Sequence, residues 1–190
     1  MRLVWSERRL RALVLASGAM SVCGGMADAA FVLFAVNEIG IGAGALGAVF
    51  AVGGAGYLAG AWLTRRLALK CPPAPMIVLG AVSMTVGQAL LPLAPAQLWA
   101  ATAVFAASFF VVSLSAALYS VNQLSLRQQI APDHLLGRVN ATMRFVTLGP
   151  TPLGALLGGL LGGVIGLRAT LLVATLVLAL AVPAARGVRG

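Results

Sequence analysis

Charge is the scarcest property of this chain of 190 residues: 9% are charged, with four acidic side chains among them. So little polarity excludes the surface of an ordinary soluble domain. Histidine occurs once, as His134, and cysteine twice, as Cys23 and Cys71. These residues have neither the ligand spacing of a metal site nor the partners of a disulfide framework, so no metal and no cofactor is expected. A Ser–His arrangement within an apolar run, paired aspartates at membrane depth and a His-Glu-x-x-His run are all missing. Hydrolysis therefore lacks nucleophile, base or metal, and an intramembrane enzyme is the weaker rival reading. Segments of roughly 10 residues that alternate apolar and polar, the mark of a transmembrane barrel, are missing too.

What the chain has in abundance is hydrocarbon. Hydrophobic residues make up 61% of it, and its mean hydropathy is +1.01. In lipid every backbone N–H and C=O must be bonded within the protein, so long unalternated apolar runs point to helices. A run of about 20 apolar residues crosses a hydrocarbon core of ~30 Å. On that measure the sequence predicts an all-α integral membrane protein with six spans, at about 12–36, 43–63, 76–91, 97–119, 139–165 and 169–185. Asn37, Glu38, Ile39 and Gly40 supply the first turn, and Pro92 and Pro95 mark the break after the third span.

The basic residues give orientation. Arg2, Arg8, Arg9 and Arg11 precede the first span; Arg65, Arg66 and Lys70 follow the second; Arg127 and Arg138 follow the fourth; Arg186 and Arg189 follow the last. Every second connection is basic, with Arg168 the one mild exception, which predicts both termini on the cytoplasmic side of the cell's inner (plasma) membrane. The net charge of +9 is spread over these loops rather than along one surface, so nucleic acid is not the expected partner. A cleaved signal peptide ending near Ala27, Asp28 and Ala29 is the competing reading of the start. The apolar run continues through Phe31, Val32, Leu33 and Phe34, which fits a spanning helix better.

Polar residues within the spans are the candidate site. Asp28 costs ~2.5 to 3.5 kcal/mol at a helix centre. It ends a small, polar face of the first helix that also holds Ser17, Ser21, Gly24 and Gly25. Two readings of it stand: a carboxyl facing a cavity, exchanging protons or meeting substrate, or a structural group bonded to a neighbouring helix or hydrated near the outer surface. Asn140, Arg144, Thr147, Thr151, Gly154 and Gly158 share one face of the fifth span, and Arg144 lies about 9 Å along the axis from Arg138. It either snorkels to the surface or pairs with a buried acceptor. Ser108, Ser115, Tyr119 and Asn122 share a face of the fourth span, and Gln88 and Thr85 one of the third. Asp28, Gln88, Tyr119, Asn122 and Arg144 are the candidates for a substrate or proton pathway. Gly56 and Gly60, and Gly154, Gly158 and Gly162, recur every fourth residue and predict close helix contacts. The segment from Asn122 to Gln129 reads as a helix leaving the membrane, and Asp133 can cap the next helix or pair with Arg127 or Arg138.

The stretch from Asn122 to Phe145, NQLSLRQQIAPDHLLGRVNATMRF, followed from Gly149 by GPTPLGALLGG, resembles the tenth-to-eleventh helix region of major facilitator superfamily exporters. The nearest branch is similar to drug-efflux and enterobactin-exporter-like proteins. A loop signature of that branch is carried here by Gln128 or Gln129, Pro132, Asp133, Gly137 and Arg138, with Arg127 just before it. The second span, from Leu46 to Gly60, resembles the family's eighth helix, and Arg65 and Arg66 fall where its cytoplasmic loop motif lies; Thr64 stands where an acidic residue is common. The resemblance implies helices seven to twelve alone, one half of the transporter fold, and proton-coupled efflux of a small amphipathic substrate. It also implies half a site. The chain is then a truncated product, a half that pairs with a separate amino-terminal half, or a unit that pairs with a second copy of itself. The alternative from another class is a structural or accessory membrane protein.

Overall fold

The structure is a computed structural model that describes residues 8–68, 70–130 and 136–186. All regular structure among the described residues is helical. The helices are α1 (Arg8–Leu33), α2 (Ala43–Leu67), α3 (Pro73–Ala89), α4 (Leu98–Ile130), α5 (Leu136–Leu148), α6 (Thr151–Ile165) and α7 (Leu167–Arg186). A π-helical turn, Phe34–Glu38, prolongs α1, so Asn37 and Glu38 belong to the helix end, and the chain reverses at Gly40, whose φ of 76° suits glycine. Pro73 opens α3, where its missing N–H costs nothing, and a 3-10 turn at Leu91–Leu93 closes it ahead of Pro95.

Among the described residues five stretches are long and apolar enough to cross a membrane: Arg11–Glu38, Ala43–Leu67, Pro73–Leu93, Leu98–Ile130 and Leu136–Ile165. The last expected span is a shorter apolar helix, Leu167–Pro183. α4 runs on past Tyr119 to Ile130, in keeping with the helical reading of Asn122 to Gln129, because the residues between contain no glycine or proline to stop it. One boundary differs from the sequence reading. The expected fifth span is two helices in line, since Gly149 and Pro150 interrupt the run and Pro152 sits in the first turn of α6.

The halves of the chain are interlaced. α4 packs along α2 and α3, α1 packs along α6 and α7, and α3 meets α7. Exchanging α1 with α4, α2 with α6 and α3 with α7 maps these principal contacts onto themselves. Both outer crossings rest on paired glycines. A side chain at Gly56 or Gly60 of α2 would strike the backbone of Phe110 or Leu114 in α4, and one at Gly154 or Gly158 of α6 would strike that of Val22 or Met26 in α1. Small residues thus let backbones touch, as the spacing predicts. Gly162 instead meets the side chain of Leu167.

The bundle is apolar outside and partly polar inside. Leu58, Trp99, Phe145, Val164 and Leu180 are largely exposed, whereas Ser108, Ser115, Asn122, Gln123 and Arg127 are buried. In water such a surface would aggregate; it matches hydrocarbon.

Candidate functional site

The polar face of α1 splits into two parts that are treated differently by their neighbours. In the first part, Ser17 Oγ lies 3.1 Å from Tyr119 Oη and also accepts a hydrogen bond from Gln123 Nε2. Ser21 Oγ donates to the Thr147 carbonyl at 2.6 Å and lies 2.8 Å from Thr151 Oγ1. Gln123 passes the network on: its backbone carbonyl accepts from Arg127 Nε at 3.2 Å and its side-chain oxygen from Arg127 Nη2 at 3.4 Å. Arg127 Nη1 then donates to Asn140 Oδ1 at 3.2 Å. The chain of bonds runs from α1 through α4 to α5, and each buried polar atom in it has a partner, which is how buried polar groups avoid their desolvation cost.

The second part ends at Asp28. It lines a cavity of about 150 Å³ together with Gly24, Met84, Gln88, Ser108 and Phe109. Ser108 is satisfied by the Gly87 carbonyl at 2.8 Å. Gln88 is 4% exposed, and its Nε2 is the one buried side-chain polar atom among the described residues with no hydrogen-bond partner. Asp28 has no charged or hydrogen-bonding neighbour among the described residues, and it is exposed. An unanswered donor and an unanswered acceptor therefore share one cavity.

Three spaces adjoin along this face. The Asp28 cavity shares Met84 with a second space of about 230 Å³ beside Ser17, Ser21 and Tyr119. That one shares Ser120, Gln123 and Thr147 with a third, of about 480 Å³, lined by Tyr57, Arg127 and Arg144. Together they make a groove with a carboxylate near one end and two guanidiniums near the other. Beyond Asp28 phenylalanines crowd together: Phe109 lies 4.7 Å from Phe31 and 5.3 Å from Phe50, centroid to centroid.

Of the sequence candidates, Asp28 and Gln88 share the small cavity, Tyr119 lines the middle space and Arg144 the basic one. Asn122 is buried, but its Nδ2 turns back to the Leu118 carbonyl at 2.8 Å, and it lines none of the three spaces. Thr85 likewise bonds its own helix, at the Ala81 carbonyl. Of the loop signature, part lies among the described residues. Arg127 is drawn inward by its three acceptors, Gly137 and Arg138 are exposed at the start of α5, and Pro132, Asp133 and His134 lie outside the described residues. Arg168, the exception to the charge pattern, has a structural tie: its Nη2 donates to the Ala94 carbonyl at 2.7 Å, and its guanidinium lies 5.4 Å from the centre of the Phe34 ring.

The sequence reading passed over Gln123, which is the junction of the polar network. The signal was available, since Tyr119, Gln123 and Arg127 recur every four residues along α4. Among the described residues no three His, Cys, Asp or Glu side chains gather as a metal site would require. Comparison with models of known protein families matched none of them to this chain, and comparison with curated proteins likewise gave no match.

Proposed function

We propose that this chain is a six-span protein of the inner membrane with both termini in the cytoplasm, and that it forms one half of a secondary transporter of the major facilitator type. It exports small amphipathic molecules in exchange for protons and performs no covalent chemistry. The observation that carries this reading is the pairing of Asp28 and Gln88, without partners among the described residues, in one cavity of a groove. A carboxylate left so on an apolar bundle is costly in lipid, and such groups mark ion and substrate pathways. Binding and releasing a proton at Asp28 is the simplest use of that position.

Two further features support it. The exchange pattern of helix contacts relates the first three spans to the last three, and an odd number of crossings sets equivalent helices in opposite directions, the arrangement of an inverted repeat. The shorter helix Leu167–Pro183, at 1.5 Å per residue, still falls within the lower range of membrane spans, about 17 residues. Asp28 is exposed, and in this reading the second wall of the path comes from another bundle: a separate amino-terminal half or a second copy.

The test is efflux of a fluorescent amphipathic dye from vesicles containing the chain, under an imposed proton gradient, with the oligomeric state measured in the same membranes. Export by the parent that Asp28→Asn abolishes is expected once a second bundle is present. Equal dye movement in parent, variant and empty vesicles, with an assembled second bundle, would leave a structural membrane protein as the better reading.

A further inference from the structure

The basic end of the groove holds Arg144, one of the expected pathway residues, beside Arg127, and proton exchange at Asp28 uses neither. Arg127 is 9% exposed, and its bonds go to three neutral oxygens, two on Gln123 and one on Asn140. Among the described residues its only charge-coupled neighbour is Tyr119, not a carboxylate. Arg144 lines the same space, is exposed within it, and makes no hydrogen bond to a described residue. Hydroxyls complete the wall: Tyr57 Oη and Ser120 Oγ stand 3.5 Å apart there, with Thr147 beside them, while Met143 and Leu148 add apolar surface.

A buried cation with no counter-ion among the described residues carries a desolvation cost that neutral acceptors offset only in part. A second cation on the same space adds repulsion, which an anion between the two removes. Guanidinium donors in fork geometry bind phosphate and carboxylate through paired charge-assisted hydrogen bonds, and the hydroxyls supply further donors. We propose that this space is an anion site, which takes a phosphate or carboxylate carried on an apolar body through Arg127 and Arg144. The site does not depend on the transport reading, since a lipid headgroup or a soluble amphipathic anion meets the same chemistry.

The chain in phosphatidylcholine nanodiscs can be titrated with 1-naphthyl phosphate and, as the neutral control, with 1-naphthol. Saturable binding of the phosphate, at least about tenfold tighter than the naphthol, is expected, because hydrogen bonds to charged groups each contribute at about that level. Arg144→Gln, which breaks no bond to a described residue, should weaken phosphate binding by about tenfold or more and leave naphthol unchanged. Arg127→Gln should do the same, with helix content followed by circular dichroism because Arg127 also ties α4 to α5. Doping the discs with phosphatidylglycerol separates the sources: displacement of 1-naphthyl phosphate assigns the site to lipid headgroups, and undiminished binding assigns it to soluble anions. Phosphate binding no tighter than naphthol, or unchanged in Arg144→Gln, overturns the proposal. So does binding that appears only in Asp133→Asn, which would mean that the chain neutralises its own arginines.

Discussion

Ser17 and Asp28 stand on one face of α1, yet their surroundings oppose each other. Around Ser17, polar groups from α1, α4 and α5 answer one another until no buried atom is left over. Around Asp28, the carboxylate and the Gln88 amide nitrogen share a cavity and find nothing among the described residues. The first arrangement ties helices together; the second leaves its polar groups unanswered. The difference teaches that a polar side chain among apolar helices is informative only once its partners are counted.

The contrast can be broken, and the largest effect is expected at its open end. Asp28→Asn should abolish proton-driven dye export in an assembled transporter while leaving thermal stability equal or higher, since a neutral amide is cheaper than a charge on an apolar bundle. Retained export would move the coupling elsewhere. Next in size is Gln123→Leu, which strips Ser17 and Arg127 of a partner at once. A loss of about 2 kcal/mol in unfolding free energy is expected, read from thermal or detergent denaturation.

Gln88→Leu sharpens the comparison by reversing the sign. Removing a buried donor that has no partner should raise stability by about 1 kcal/mol, and a fall instead would reveal a partner for Nε2. The smallest change is Tyr119→Phe, which deletes one hydroxyl contact to Ser17 and should cost about 0.6 kcal/mol, the average for a side-chain hydrogen bond between membrane helices.

Much of this fold could be read from spacing alone. Gly56 with Gly60 and Gly154 with Gly158 announced the two crossings, and the structure seats both pairs on backbone. The buried face of Ser108, Ser115, Tyr119 and Asn122 was equally legible, because period alone decides which way those side chains point. Their roles were not. Asn122 and Gln123 are adjacent amides on one helix, and only the position of Ser17 on another helix makes the second a junction while the first folds back to Leu118. Arg127 reads as part of a helix leaving the membrane for water, because basic residues collect at cytoplasmic ends; three acceptors from Gln123 and Asn140 turn it inward instead. Gln88 reads as a candidate from the sequence, but that its donor lacks a partner among the described residues is a fact of packing, which no sequence period encodes.

The interlaced packing also bears on how the chain is made. Ser21 bonds Thr147 across 126 residues, and Ser17 bonds Tyr119 across 102. Most contacts that hold α1 come from helices the ribosome delivers late, so in the membrane protein proposed above the first hairpin inserts before its partners exist. A nascent α1 then holds Asp28 and its serines against lipid, or against an insertase, until α4 and α6 arrive. Long-range contacts of this kind slow folding and lengthen the exposure of unfinished surfaces. Assembly should therefore be late and abrupt, with protection against proteolysis gained only as α6 leaves the translocon.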